Sequence, residues 1–294
     1  MIKELLTQPQ RTLRRKASYS GIALHTGDKT KITFLPAPAD HGIEFVRVDL
    51  ARHPRVKAQL NNVTGVTRGT TIEEKGVKVH TVEHVLAALM GFGIDNLIIE
   101  MDASEPPVGD GSALPFVEMI QGVGIEEQSQ PKQCFRLLKS VYYEEKDALL
   151  VAIPHDKFRI SYTLSYKDTR LKDQFYTVEI NEKSFAEEIA PCRTFCFYEE
   201  VAYLMEQGLI KGGSLDNAVV VGKDAIFSKE RLRFQDECVR HKILDLMGDL
   251  YLLGRPLRAH VIAIKSGHGI NFQLAKRLYA AIAQEGLVHE FVKS

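Results

Sequence analysis

Four cysteines in 294 residues, at positions 134, 192, 196 and 238, are too few and too irregularly spaced to frame a chain of this length with disulfides. Free thiols in a reducing compartment are expected, and with them a cytoplasmic location. No apolar run approaches the roughly 18 to 20 residues that a bilayer-spanning helix needs. The opening Met-Ile-Lys-Glu-Leu-Leu-Thr-Gln lacks the basic start, apolar centre and small-residue cleavage site of a secretion signal, so no stable membrane anchor is expected. An excess of one charge is also missing: 38 basic residues face 38 acidic ones, which argues against a nucleic-acid partner. The one local cluster, Arg11-Thr12-Leu13-Arg14-Arg15-Lys16, has no interleaved aromatics and reads as a solvated edge leading into a strand.

The chain is 45% hydrophobic, enough for a sizeable core in one large domain or two ordinary ones. The segment 126–133 is polar, contains a proline and lacks apolar periodicity. It reads as a linker between an N-terminal domain, 1–128, and a C-terminal domain, 135–294. The halves share a plan. Each opens with alternating apolar and polar residues, at 32–35 and 43–46 in the first and at 158–164 in the second. Each then has a helix bearing reactive side chains, a glycine break, a β-rich run at 96–101 or 259–264, and a closing helix, capped by Ser112 or spanning 273–284. The repeated order predicts an α+β fold made by duplicating one unit, with the two reactive helices facing each other. The second half has an extra amphipathic stretch, 198–210, followed by Lys211-Gly212-Gly213-Ser214. It reads as a helix ending in a flexible glycine loop, without the lysine and helix context of a P-loop.

On the second reactive helix, His241, Asp245 and Asp249 recur at four-residue intervals and share one stripe. Imidazole and carboxylate both bind divalent first-row metals, and i, i+4 spacing lets two of them reach one ion. On the first, His80-Thr81-Val82-Glu83-His84 leads into an apolar run of strong helix formers. A hydrolytic zinc site needs three protein ligands, an open position and a carboxylate that takes the water's proton. Glu83 beside His84 offers a base and a ligand. Other readings stay open at this level. His80-x-x-Glu83-His84 matches the H-x-x-E-H pattern of inverzincin peptidases, in which His80 and His84 are both ligands. Cys192-x3-Cys196 with Cys238-x2-His241 would make a structural zinc site at the loose end of the usual spacing. A lone His-x3-Asp pair is also an ordinary salt-bridged helix face. His25 reads as a turn histidine, whereas His268, between Gly267 and Gly269 where a strand ends, suits an exposed catalytic imidazole.

Several ordered motifs span nearly the whole chain: Arg11-Thr12-Leu13, residues 20–27, Thr81-Val82-Glu83-His84, Asp110-Gly111-Ser112, Arg193-Thr194-Phe195, residues 241–245 with Gly248-Asp249, and Lys265-Ser266-Gly267-His268. In these the chain resembles the metal-dependent UDP-3-O-acyl-N-acetylglucosamine deacetylases of lipid A synthesis. The resemblance implies two similar α+β domains of layered sheets and helices with the active site between them. It implies that His84, His241 and Asp245 hold zinc, with iron(II) an alternative in the cell. Glu83 would be the general base, Thr194 would share the oxyanion's charge, and His268, kept charged by Asp249, would protonate the departing amine. Lys242, Lys265, Phe195, Leu204 and Gly213 would meet substrate, the lysines at its diphosphate or developing charge. Val201, Leu204, Met205, Leu209 and Ile210 would line an apolar passage for its acyl chain. The implied reaction is hydrolysis of the N-acetyl group of UDP-3-O-(3-hydroxyacyl)-N-acetylglucosamine to acetate and a free amine, by a monofunctional monomer without the dehydratase domain that some relatives carry. His80 is not required by that family. The non-enzymatic alternative is a nucleotide-sugar binding protein that keeps the fold without the chemistry.

Overall fold

A computed structural model describes residues 2–167, 171 and 173–291. The first half builds a five-stranded sheet in the order Ala17–Ile22, Lys29–Pro36, Leu97–Met101, Ile43–Arg47, Arg55–Lys57. Its central strand runs antiparallel to Lys29–Pro36 and parallel to Ile43–Arg47. Alternation does the sorting: Thr30, Ile32 and Phe34 are buried while Lys29 and Lys31 face water. The second half repeats this order strand for strand, as Val141–Glu145, Ala148–Pro154, Leu257–Ile264, Phe158–Leu164, Gln174–Glu179, with the same pattern of directions. The duplicated α+β plan read from the sequence is therefore present in the topology.

In each repeat a helix precedes the central strand and another follows it. Glu83–Gly91 and Leu114–Val123 flank Leu97–Met101, and Glu237–Tyr251 and His268–Phe291 flank Leu257–Ile264. Both repeats also carry an insertion at one topological point, between the fifth strand and the first helix. In the first it is a small sheet of Val63–Gly65, Thr71–Glu74 and Val77–Val79; in the second it includes the strands Phe195–Phe197, Val219–Val221 and Ile226–Phe227 and the helix Tyr198–Glu206. Among the described residues no helix is long and apolar enough to cross a membrane.

Two local expectations are corrected. The segment 126–133 is not a linker but the middle of strand Ile125–Arg136, which pairs antiparallel with Ile2–Leu13 and touches Leu257–Ile264 at its end. The strand is held by its ladder rather than by apolar alternation, so periodicity could not reveal it. Lys132 is buried there, its Nζ donating to Gly93 O at 2.8 Å and pairing with Asp95 at 3.0 Å. The glycine loop after the inserted helix is likewise pinned: Lys211 and Gly212 donate backbone N–H groups to His25 O and Leu24 O at 3.3 and 3.0 Å. A methyl group on Gly212 would overlap the Ala23 carbonyl, so the glycine serves close backbone approach rather than freedom.

The helices Glu83–Gly91 and Glu237–Tyr251 pack against each other within the core. Val85, Leu86, Ala87, Ala88 and Leu89 of one and Val239, Ile243, Leu244, Leu246 and Met247 of the other are fully buried. Gly248 lies so close to Glu83 that a side-chain methyl would overlap the Glu83 backbone. Gly248→Ala is therefore expected to destabilise by about 1–3 kcal/mol, as overpacking does, read as an earlier midpoint in denaturant. Gly122, exposed in helix Leu114–Val123 with nothing within 4 Å of where a methyl would stand, is the control. Gly122→Ala should stabilise by up to about 1 kcal/mol through helix propensity. Equal shifts of one sign would contradict the close crossing.

Candidate active site

The crossing sets a cluster of polar groups in an apolar surround. Helix Glu83–Gly91 starts at Glu83, after Thr81 in a left-handed turn (φ 54°), so Glu83 and His84 occupy its first turn. One turn apart on the other helix stand His241 and Asp245. One ligand-capable atom from each of His84, His241 and Asp245 lies within 4.8 Å of the other two, and all three residues are buried. The His241 Nδ1 faces the Cys192 carbonyl at 3.0 Å. A carbonyl can only accept, so Nδ1 carries a proton and Nε2 is the nitrogen turned into the cluster. His241 Nε2 lies 3.3 Å from Asp245 Oδ1, with His84 Nε2 at 3.8 Å from the same oxygen.

Two imidazole nitrogens and a carboxylate oxygen thus converge on one point. Asp245 Oδ1 is buried and receives no hydrogen bond among the described residues. An oxygen left that way is costly unless a cation satisfies it, and two imidazole nitrogens with one carboxylate are a fitting donor set for a divalent metal. The protonation states suit ligation. Burial and then the neighbouring His241 lower the His84 pKa to about 3, leaving the imidazole neutral. Burial opposes the Asp245 charge, but Lys242, with Nζ 2.8 Å from Oδ2, and His241 outweigh it and hold the carboxyl well below its usual range. Lys242 is itself held protonated by that carboxylate against its burial.

Beside this cluster sits a second, proton-handling pair. Glu83 is 2% exposed; Oε2 accepts from the Thr70 backbone N–H at 2.9 Å and Oε1 lies 3.9 Å from His268 Nε2. Burial first, then Asp249 and Asp245, outweigh His268 and push its pKa up to about 7. For His268 burial works the other way, but Asp249 and its hydrogen bond prevail and raise the imidazole to about 9. Asp249 is fully engaged: Oδ2 accepts from His268 Nδ1 and Asn271 Nδ2, each at 2.8 Å, and Oδ1 from Thr70 Oγ1 at 2.6 Å. The stripe His241, Asp245, Asp249 therefore divides, two members in the donor cluster and the third turned to His268. A base near neutrality and an acid above it, flanking a metal-fitting cluster, are equipped for water-dependent cleavage of an acyl bond.

His80 stands apart. It precedes the helix, so it shares no helical face with His84, and its Nδ1 meets Thr71 Oγ1 at 2.9 Å. Neither His80 nor any cysteine belongs to a metal-fitting group among the described residues. Thr194 lies at the cleft, its N–H donating to Gly111 O at 2.8 Å and its carbonyl accepting from Val219 N at 2.9 Å. With Phe195, His241, Lys242, Asp245 and His268 it lines a space of about 520 Å³. A second, apolar cavity of about 220 Å³ is lined by Val201, Leu204, Ile210, Gly213, Leu215 and Val220, with Arg68, Thr194, Phe195 and Cys196 common to both. Three expected residues lie elsewhere. Met205 is 63% exposed, rotated by about 100° from Leu204 on the helix, and Leu209 is not in the lining. Lys265 is outside the cleft lining, its Nζ paired with Asp147 at 2.9 Å. Thr70, Asn271 and Arg68 join the site without any signal in the sequence, because no spacing rule marks a residue that donates across from another insertion or helix.

Comparison with known proteins identifies a family. A family model described as LpxC, UDP-3-O-acyl N-acetylglycosamine deacetylase, matches residues 10–280. A UDP-3-O-acyl-N-acetylglucosamine deacetylase of Chlamydia trachomatis serovar L2 is 47% identical over 282 residues, covering 96% of this chain and 98% of the relative. Those of Chlamydia muridarum and Chlamydia pneumoniae are each 46% identical, over 282 and 280 residues, covering 96% and 95% of this chain and 98% and 99% of theirs. With a match across most of its length and relatives of this closeness, the chain belongs to the UDP-3-O-acyl N-acetylglycosamine deacetylase family.

Proposed function

We propose that the chain is a zinc-dependent hydrolase that removes the acetyl group of UDP-3-O-(3-hydroxyacyl)-N-acetylglucosamine, giving acetate and the free amine at an early committed step of lipid A synthesis. The observation that carries this reading is the convergence of His84, His241 and the unpartnered Asp245 oxygen beside the Glu83–His268 pair. A divalent ion held by those three residues supplies Lewis acidity, acidifying water and polarising the acetyl carbonyl. Zinc suits the two-imidazole, one-carboxylate set, and iron(II) is the alternative occupant.

The chain's own residues do the rest. Glu83, seated by the Thr70 N–H, takes a proton from the attacking water. Thr194, lining the same cleft, offers a hydroxyl to the negative charge that develops on the acetyl oxygen. His268, held charged by Asp249, gives its Nε2 proton to the leaving nitrogen as the carbon–nitrogen bond breaks. Lys242 keeps Asp245 ionised and faces the cleft that would receive the polar part of the substrate. The adjoining apolar cavity, with Leu204 and Gly213 in its wall, suits the acyl chain, each buried methylene contributing about 0.8 kcal/mol. Lys265, engaged with Asp147, would have to leave that partner to reach substrate. The thiols of Cys192, Cys196 and Cys238 support a reducing, cytoplasmic setting.

Glu83→Gln should keep its zinc, measured by elemental analysis, and lose acetate release on the acylated UDP-sugar by at least about a hundredfold; a fully active variant would remove Glu83 as the base. His241→Ala should lose zinc while His80→Ala keeps it, and the reverse result would revive the H-x-x-E-H reading. Activity should fall on the alkaline side as His268 loses its proton. Asp249→Asn, which removes the carboxylate that raises His268, should move that limb of the kcat/KM profile to lower pH. An unmoved limb would separate Asp249 from the acid. Tight UDP-sugar binding without acetate release by the zinc-loaded protein would favour the non-enzymatic binder.

A further inference from the structure

One ion pair joins the two insertions across the mouth of the site. Arg68 lies in the turn 66–70 of the first insertion, and Glu200 lies on the helix Tyr198–Glu206 of the second. The guanidinium meets the carboxylate through both terminal nitrogens, at 3.0 and 2.5 Å, so the pair is bidentate and fixes orientation as well as distance. Arg68 is one of the few residues shared by the polar cleft and the apolar cavity, and it stands with Phe195 and Cys196 where the two spaces meet. Its own carbonyl is held at 3.2 Å by His25 Nε2. Two residues on, Thr70 seats Glu83 through its N–H and Asp249 through its hydroxyl. Between them, a methyl on Gly69 would come to 3.1 Å from Glu83 Oε1, so the turn fits closely against the base.

Arg68 thus touches the acyl cavity on one side and is two residues from the seat of the base on the other. We propose that Arg68 is a specificity-determining residue, and that its pair with Glu200 makes hydrolysis depend on what fills the apolar cavity. The pair forms the neck through which an acyl chain passes. By fastening the turn 66–70 to the inserted helix that walls the cavity, it ties the filling of the cavity to the position of the Thr70 N–H and hence of Glu83. The guanidinium has donors beyond the two used by Glu200, and at a residue that lines both spaces they suit a polar atom at the head of the acyl chain, such as an ester carbonyl or a hydroxyl. Both partners are partly exposed, with 40% and 32% of their side-chain surface open to water, so the fastening is one that a substrate can rearrange at small cost.

This inference rests on the deacetylase reading, and the test separates the two. Acetate release is measured on two UDP-N-acetylglucosamine substrates that differ only in the 3-O-acyl group, a long 3-hydroxyacyl chain against acetyl. Arg68→Ala and Glu200→Ala should each lower the ratio of kcat/KM, long over short, by about tenfold. Arg68→Lys, which keeps the charge and loses the fork, should give an intermediate ratio. The exchange R68E/E200R should recover most of the ratio, which a merely structural loss would not allow. Ratios equal to that of the unaltered enzyme in both alanine variants, or an exchange variant no better than either single one, would overturn the role of the pair. Failure of the unaltered, zinc-loaded enzyme to release acetate from either substrate would instead overturn the deacetylase reading.

Discussion

Everything at this site depends on how closely two helices cross. Gly248 admits the Glu83 backbone to a distance that any side chain would forbid, and this approach brings His84 within reach of Asp245 and His241. A helix is a stiff rod, so fixing one point of the crossing fixes the residues one turn away on either side. Asp245 and Asp249, one turn apart, are therefore aimed at different neighbours: Asp245 Oδ1 at two imidazole nitrogens, Asp249 at His268, Asn271 and Thr70. The large apolar core around the crossing supports this arrangement of polar groups and also sets their ionisation. The same burial that lifts Glu83 toward neutrality depresses His84 and leaves the outcome at Asp245 and His268 to their partners.

Duplication supplies the second half of the geometry. Each repeat contributes one helix to the crossing and one insertion to its rim, at the same point in the strand order. A single repeat would carry either the Glu83–His84 corner or the His241–Asp245 corner, and neither alone makes a three-donor set. The insertions have diverged to different tasks. The first carries the turn that seats Glu83 and Asp249, and the second carries the helix over the apolar cavity.

The parts legible in the sequence are those governed by local periodicity. The four-residue interval from His241 to Asp245 translates directly into one helix face, and the strand–helix–glycine–strand order of both halves reappears as one five-strand order present in both sheets. Asp249 is legible as a member of the stripe, but periodicity does not give its orientation, which only the family resemblance implies, because the partner that claims it comes from another helix. The polar strand Ile125–Arg136 looks like a linker because ladder hydrogen bonds leave no mark on side-chain pattern. Thr70, Asn271 and Arg68 are invisible for a related reason: each acts on a residue far away in the chain, and nothing near it encodes that meeting. Met205 shows the limit of helical reading in the other direction, since amphipathicity defines an apolar arc but not which edge of the arc meets water.

The pairing of Ile2–Leu13 with Ile125–Arg136 bears on how the chain is made. The strand Ile2–Leu13 leaves the ribosome well before its ladder partner, which follows only after the entire first repeat has been synthesised. At roughly 5–20 residues per second, that leaves it an unpaired edge for on the order of ten seconds. An edge open so long invites pairing with other nascent chains, and its composition answers that hazard: Gln8, Pro9, Gln10 and Arg11 place amides, a proline and a charge along it. The polar character that hides the partner strand in the sequence is also of the kind that discourages edge-to-edge pairing.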